Sequence, residues 1–188
     1  MSPILVRPVR EQLEHDRIIR LLQTRFRRRF DAAINPGAEQ NVPVGSGTAA
    51  IFPDVVLTTQ DRGKKVAAII EVETVESVNH LEALAEWVPF GRQRAPFHLY
   101  VPTQMIEVAK RLCTDQNVPV AEIHSYHAVG DEIRFVPVYR APSESRARSA
   151  APKKTASKPS KARKPKPAKA SARRMAKPVR AARSPKRK

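Results

Sequence analysis

A mixed α/β fold, a β-sheet flanked by helices, is the architecture the chain predicts over residues 1–140, and three observations predict it. Apolar residues between Val9 and Phe30 recur at three- and four-residue steps, the signature of an amphipathic helix. Two apolar runs, 55–59 and 66–73, flank a polar turn in the manner of a hairpin. Beyond them helical and extended patterns alternate, an order that argues a sheet covered by helices. The 188 residues are enough for one domain with a sizeable core and a further segment.

The first helix is read over about 9–30, with Leu13, Ile18, Leu21, Leu22, Phe26 and Phe30 as its apolar stripe. Glu14 lies one turn before Ile18, so two readings are open for it. It is either a helical carboxylate reaching inward or a boundary residue whose head stays in water. Arg25, Arg27, Arg28 and Arg29 close the helix, where cations suit the helix dipole. Residues 35–48 are rich in turn formers, with one short strand expected around Val42 to Val44.

In the hairpin, Val55 to Thr59 and Val66 to Glu73 are the strands and Gln60-Asp61-Arg62-Gly63 the turn. The two-residue period places Ala67, Ile69, Glu71 and Glu73 on one face and Val66, Ala68, Ile70 and Val72 on the other. Both faces are apolar through Ile70, which predicts a central strand covered on both sides. Asn79 or Ser77 caps a helix to about Phe90, with Leu81, Leu84, Ala85 and Val88 as its stripe. A strand over 97–101, a helix over about 104–115 and two closing strands, 120–126 and 133–138, complete the domain.

The chemistry gathers in the hairpin. Asp54 opens one strand and Glu71 and Glu73 end the next, so the three carboxylates meet at one sheet edge, the way oxygen-ligand sites for divalent cations are built. Acids on the buried face of a central strand are costly unless a cation or hydrogen bonds compensate them. A competing reading pairs Glu71 and Glu73 with arginines such as Arg92 or Arg94, without a metal. Other candidates are weaker. His124 and His127 are three apart on a strand, a poor fit to one face. Cys113, the lone cysteine, excludes an internal disulfide and a cysteine metal cage, and its place on an apolar helix face suits a core residue. No Gly-x-Ser-x-Gly elbow is present, and Gly45-Ser46-Gly47 lacks the Gly-Lys-Ser/Thr of a phosphate loop.

Charge divides the chain. Residues 1–140 carry 17 Lys and Arg against 17 Asp and Glu, whereas 141–188 carry 18 against the single Glu144. The second segment is a Lys/Arg/Ala/Pro-rich tail too poor in apolar residues to repay ordering, and it is expected to be disordered when free. Its cations, Lys153, Lys154, Lys161, Arg163, Lys164 and Lys166 in one stretch and Arg173, Arg174, Lys186 and Arg187 further on, are the expected nucleic-acid contacts, binding DNA or RNA through counterion release. The opening MSPILVRPVREQ has no apolar run of signal-peptide length, and no later stretch approaches a membrane span. The expectation is a cytoplasmic, nucleoid-associated protein without a membrane partner.

The helix with Glu14, the Pro53-Asp54 pair opening a strand and the Glu71-Val72-Glu73 triplet ending the next resemble the PD-(D/E)XK, or restriction-endonuclease-like, superfamily over roughly residues 9–126. That family's common core is α-β-β-β-α-β. The resemblance implies that Asp54 and Glu71, with Glu14 beneath them, hold Mg²⁺ (or Mn²⁺), and that Asp54, Glu71 and Glu73 form the catalytic set of a DNA endonuclease. Glu73 stands where the family usually has lysine; some members use glutamate there, while others with altered motifs are non-catalytic. The tail resembles the C-terminal arms of linker histones and bacterial histone-like proteins, with Ser184-Pro185-Lys186-Arg187 similar to their minor-groove motif. Two functions follow as expectations: a Mg²⁺-dependent DNA endonuclease tethered by its tail, for which a homodimer would suit cutting of both strands, or a non-catalytic nucleoid protein with a degenerate nuclease fold.

Overall fold

The computed structural model describes residues 8–142. Helix α1 (Val9–Phe26) buries Glu11, His15, Ile18, Ile19 and Leu22, an arc one helical face wide. The helix ends earlier than its apolar pattern suggests. Phe30 belongs instead to strand β1 (Phe30–Ile34), which the sequence pattern hides because the four-residue spacing of Leu22, Phe26 and Phe30 also fits a helix. Leu13, read as part of the buried stripe, is 66% exposed on the opposite side of α1.

β2 (Val55–Thr59) and β3 (Val66–Val72) form the expected hairpin, and β1 pairs antiparallel with β2. The strand expected near Val42 to Val44 reduces to a single bridge between Val44 and Ile51. A helical segment then crosses from β3 to β4 (Phe97–Pro102) in three pieces: α2 (His80–Glu82), a π-helical turn (Ala83–Trp87) and α3 (Val88–Gly91). Asn79 caps it, its side-chain oxygen accepting from Leu81 N at 2.9 Å and Glu82 N at 3.1 Å. The π turn changes which residues face inward: Ala83, Trp87 and Phe90 are buried, while Leu81 and Leu84, read as core, are exposed. α4 (Ile106–Asp115) crosses from β4 to β5 (Val120–Val129), and β6 (Glu132–Arg140) returns as the edge strand.

The six strands lie in chain order, β1 to β6. The β3–β4 and β4–β5 pairs are parallel and the other three antiparallel. Parallel neighbours require a crossover, which is the work of the two helical connections. Both crossovers lie on one face, where Trp87, Phe90, Ala109 and Cys113 pack on Val56, Ile69, Phe97 and Leu99. On the other face α1 packs Ile18, Ile19 and Leu22 on Val55, Leu57, Ala68, Ile70 and Val72. β3 is therefore covered on both sides, as its unbroken apolar run predicts. β6 is mostly exposed and carries Pro137, a residue suited to an edge. Among the described residues no helix is long and apolar enough to cross a membrane.

Candidate functional site

The site forms where β2 begins and β3 ends, between the layers. The Val55–Ile70 register brings the residue before β2, Asp54, beside Glu71. Asp54 N donates to Glu71 Oε2 at 3.2 Å, and Asp54 Oδ2 accepts from Val72 N at 2.8 Å. The loop leading to Asp54 is pinned by buried Asn35. Its Nδ2 donates to Val42 O at 3.0 Å and Pro53 O at 2.7 Å, its Oδ1 accepts from Val42 N at 2.8 Å, and its backbone N–H donates to Asp54 O at 3.0 Å. A single residue thus holds an otherwise irregular segment in the position that presents Asp54.

α1 supplies a second layer of contacts. His15 Nε2 lies 3.0 Å from Asp54 Oδ2, and its Nδ1 lies 3.3 Å from Asp16 Oδ1. Asp16 Oδ1 also accepts from Gln12 Nε2 at 2.7 Å and Gly37 N at 3.1 Å. One turn earlier, buried Glu11 accepts from the Thr74 hydroxyl, just beyond Glu73. Thr74 and Ser77 close a small turn there, with Thr74 N donating to Ser77 Oγ at 2.8 Å.

Glu73 is fully buried. Its Oε1 accepts from Trp87 Nε1 at 2.5 Å, its backbone N–H donates to Tyr100 O at 2.8 Å and its carbonyl accepts from Tyr126 OH at 2.7 Å. Glu86, on the π turn beside Trp87, adds another carboxylate: one oxygen from each of Glu71, Glu73 and Glu86 lies within 4.8 Å of the others. Burial pushes the Glu71 carboxyl well above its ordinary pKa, and the charges of Asp54, Glu86 and Glu73 push it further in the same direction. Such a cluster is neutralised either by holding a proton or by holding a cation. Its donors are all oxygen, the set that hard divalent ions such as Mg²⁺ take.

Of the residues singled out from the sequence, Asp54, Glu71 and Glu73 come together. Glu14 does not: it is exposed, and the inward carboxylate of α1 is Glu11. At about 100° per residue, the arc through Glu11, His15, Ile18 and Leu22 leaves Glu14 on its solvent margin. Spacing from Ile18 alone does not separate the two, whereas continuing the stripe backwards through His15 reaches Glu11. Arg92 and Arg94 are exposed. Cys113 is buried as expected, and burial pushes its thiol up to about 12. His15, Asn35, Trp87 and Glu86 are site residues that the sequence reading does not reach. A polar residue within an apolar stripe is the available signal for His15, whereas Glu86 lies off the stripe of its helix and reaches the cluster through the π turn. The tail residues from Lys153 to Arg187 lie outside the described residues. Comparison of the chain with family models, with curated proteins and with solved structures finds no match.

Proposed function

We propose that the folded part is a restriction-endonuclease-like domain and that the protein is a Mg²⁺-dependent DNA endonuclease held on nucleic acid by its basic tail. The observation that carries this reading is the hydrogen-bonded meeting of Asp54 and Glu71 across the start of β2 and the end of β3, with Glu73 and Glu86 alongside. The order α1-β1-β2-β3-helix-β4 supports it, since it repeats the α-β-β-β-α-β core of the resemblance with β1 now supplying the first strand.

The all-oxygen donor set fits Mg²⁺ or Mn²⁺, which Asp54 and Glu71 would hold with Glu73 or Glu86 completing the carboxylate set. Bound there, the ion supplies Lewis-acid stabilisation of a phosphoryl oxygen and a more acidic water. The chain's own residues do the positioning. Val72 N and His15 orient the Asp54 carboxylate, Asp54 N orients Glu71, and Trp87 holds Glu73. The test is cleavage of duplex DNA by the full chain with Mg²⁺ or Mn²⁺. Asp54→Asn and Glu71→Gln are expected to lower cleavage by at least about 100-fold while leaving DNA binding intact. Undiminished cleavage by both variants would overturn the assignment.

A second reading, a non-catalytic nucleoid protein, is favoured by one observation: Glu73 stands at the family's lysine position, fully buried and tied to Trp87 rather than turned to solvent. On this reading the full chain binds and compacts DNA identically with and without divalent metal, and no cleavage product appears.

A further inference from the structure

The α1 face of the sheet, opposite the one on which Glu71, Glu73 and Glu86 meet, carries a second cluster with different chemistry. His98 lies on β4 and Glu122 and His124 on β5, whose parallel register sets His98 against Glu122 and Tyr100 against His124. The two-residue period turns all of these side chains toward the α1 side, where Tyr100 and Tyr126 join the core. One ligand atom from each of His98, Glu122 and His124 lies within 4.8 Å of the others, and all three residues are half-buried. His127, three residues beyond His124 and a poor fit to its face, is exposed.

We propose that His98, Glu122 and His124 form a binding site for a zinc-class divalent cation, separate from the carboxylate site and independent of the reading given to it. Two imidazoles and one carboxylate are a borderline-soft donor set, suited to Zn²⁺ rather than to Mg²⁺. Ligands at about 2.1 Å from a tetrahedral ion stand roughly 3.4 Å apart, so a cluster spanning up to 4.8 Å needs only small side-chain adjustments, the His124–Glu122 pair parting slightly to admit the ion. His124 Nε2 and Glu122 Oε2 are already 2.8 Å apart.

The surroundings hold the donors in place. The His124 ring stacks on Tyr100 with centroids 4.5 Å apart and planes at 4°, which fixes its rotation. Arg140 Nε lies 2.8 Å from Glu122 Oε1, leaving Oε2 turned to the histidines. This is the outer-shell support that metal ligands commonly have. Half-burial leaves room for water as a fourth ligand. In the absence of metal the same groups close into a His124–Glu122–Arg140 hydrogen-bond chain, and the experiment separates that from a metal site.

The untagged full chain, stripped of metal, is titrated with Co²⁺ and Zn²⁺. The expected result is a single Co²⁺ with the intense visible d–d band of tetrahedral coordination, displaced by Zn²⁺, the band and that Zn²⁺ affinity at least about tenfold weaker in His98→Ala and in Glu122→Gln. Glu71→Gln is expected to leave the d–d band and its displacement by Zn²⁺ unchanged, which distinguishes this site from the carboxylate cluster. Ring-nitrogen NMR of the unsubstituted chain gives a reading that does not depend on the variants folding: Zn²⁺ should shift His98 and His124. No Co²⁺ band, variant affinities equal to that of the unsubstituted chain, or Zn²⁺ shifts confined to His15, His80 and His127 would each overturn the proposal.

Discussion

Glu71 shows how one residue can oppose the fold that houses it. The residue is 4% exposed and its carboxyl is surrounded by other acids, and burial with their charges raises its pKa. A carboxyl that binds its proton more tightly folded than unfolded stabilises the protein below the unfolded pKa. That stability is lost as pH rises from about 4.5 through the folded pKa, because the unfolded state releases the proton first. The metal-free chain is therefore expected to lose stability over this window, and Glu71→Gln to flatten the loss and raise neutral-pH stability by on the order of 1 kcal/mol. Urea unfolding across pH 4 to about 8 in chelator checks this; a steeper pH dependence in the variant would refute it. Glu71 and Glu73 are legible in the sequence because the strand period orders side chains without reference to anything distant. Glu11 is legible only by extending the α1 stripe back through His15, because spacing from Ile18 alone leaves it level with Glu14.

At the scale of elements, the middle helix departs furthest from its pattern. Its leucines advertise one face, yet the π turn presents Ala83, Trp87 and Phe90 to the sheet and brings Glu86 to the acid cluster. The helix ends at Gly91, where a Cβ would lie 2.8 Å from Pro119 Cδ and 3.1 Å from Val118 Cγ1. A proline ring cannot swing aside as a long flexible side chain can. Gly91→Ala is expected to destabilise the protein by about 1–3 kcal/mol through that overlap, read as a lower urea midpoint with unchanged slope. An unchanged midpoint would show that the approach of the segment before β5 is looser than described. The hairpin, by contrast, is readable to within a residue: turn formers between two apolar runs leave few alternatives, and Val55 to Thr59 pairs with Val66 to Val72, one residue short of the expected Glu73 and with a bulge between Leu57 and Thr58 that the spacing does not show.

For the whole molecule, charge and chemistry sit in different parts of the chain. The neutral first 140 residues contain the acid cluster, and the net charge of +17 belongs to the last 48. DNA affinity of the full chain is expected to fall by at least ~10³ between about 50 and 200 mM salt, and truncation after Pro142 to remove most of that slope. A fluorescence anisotropy titration at several salt concentrations measures it, and an equally steep slope in the truncated chain would place the DNA contacts in the folded part. By itself the sequence determined the α/β class, the hairpin, the Asp54–Glu71–Glu73 grouping and the split in charge, because periodicity, turn chemistry and composition act locally. Only the tertiary structure decided that β1 completes the three-strand meander, that Glu11 replaces Glu14, that His15 and Asn35 brace Asp54, and that His98 meets His124. Those outcomes depend on which face of one element packs on another, and packing selects among faces that local spacing leaves equivalent.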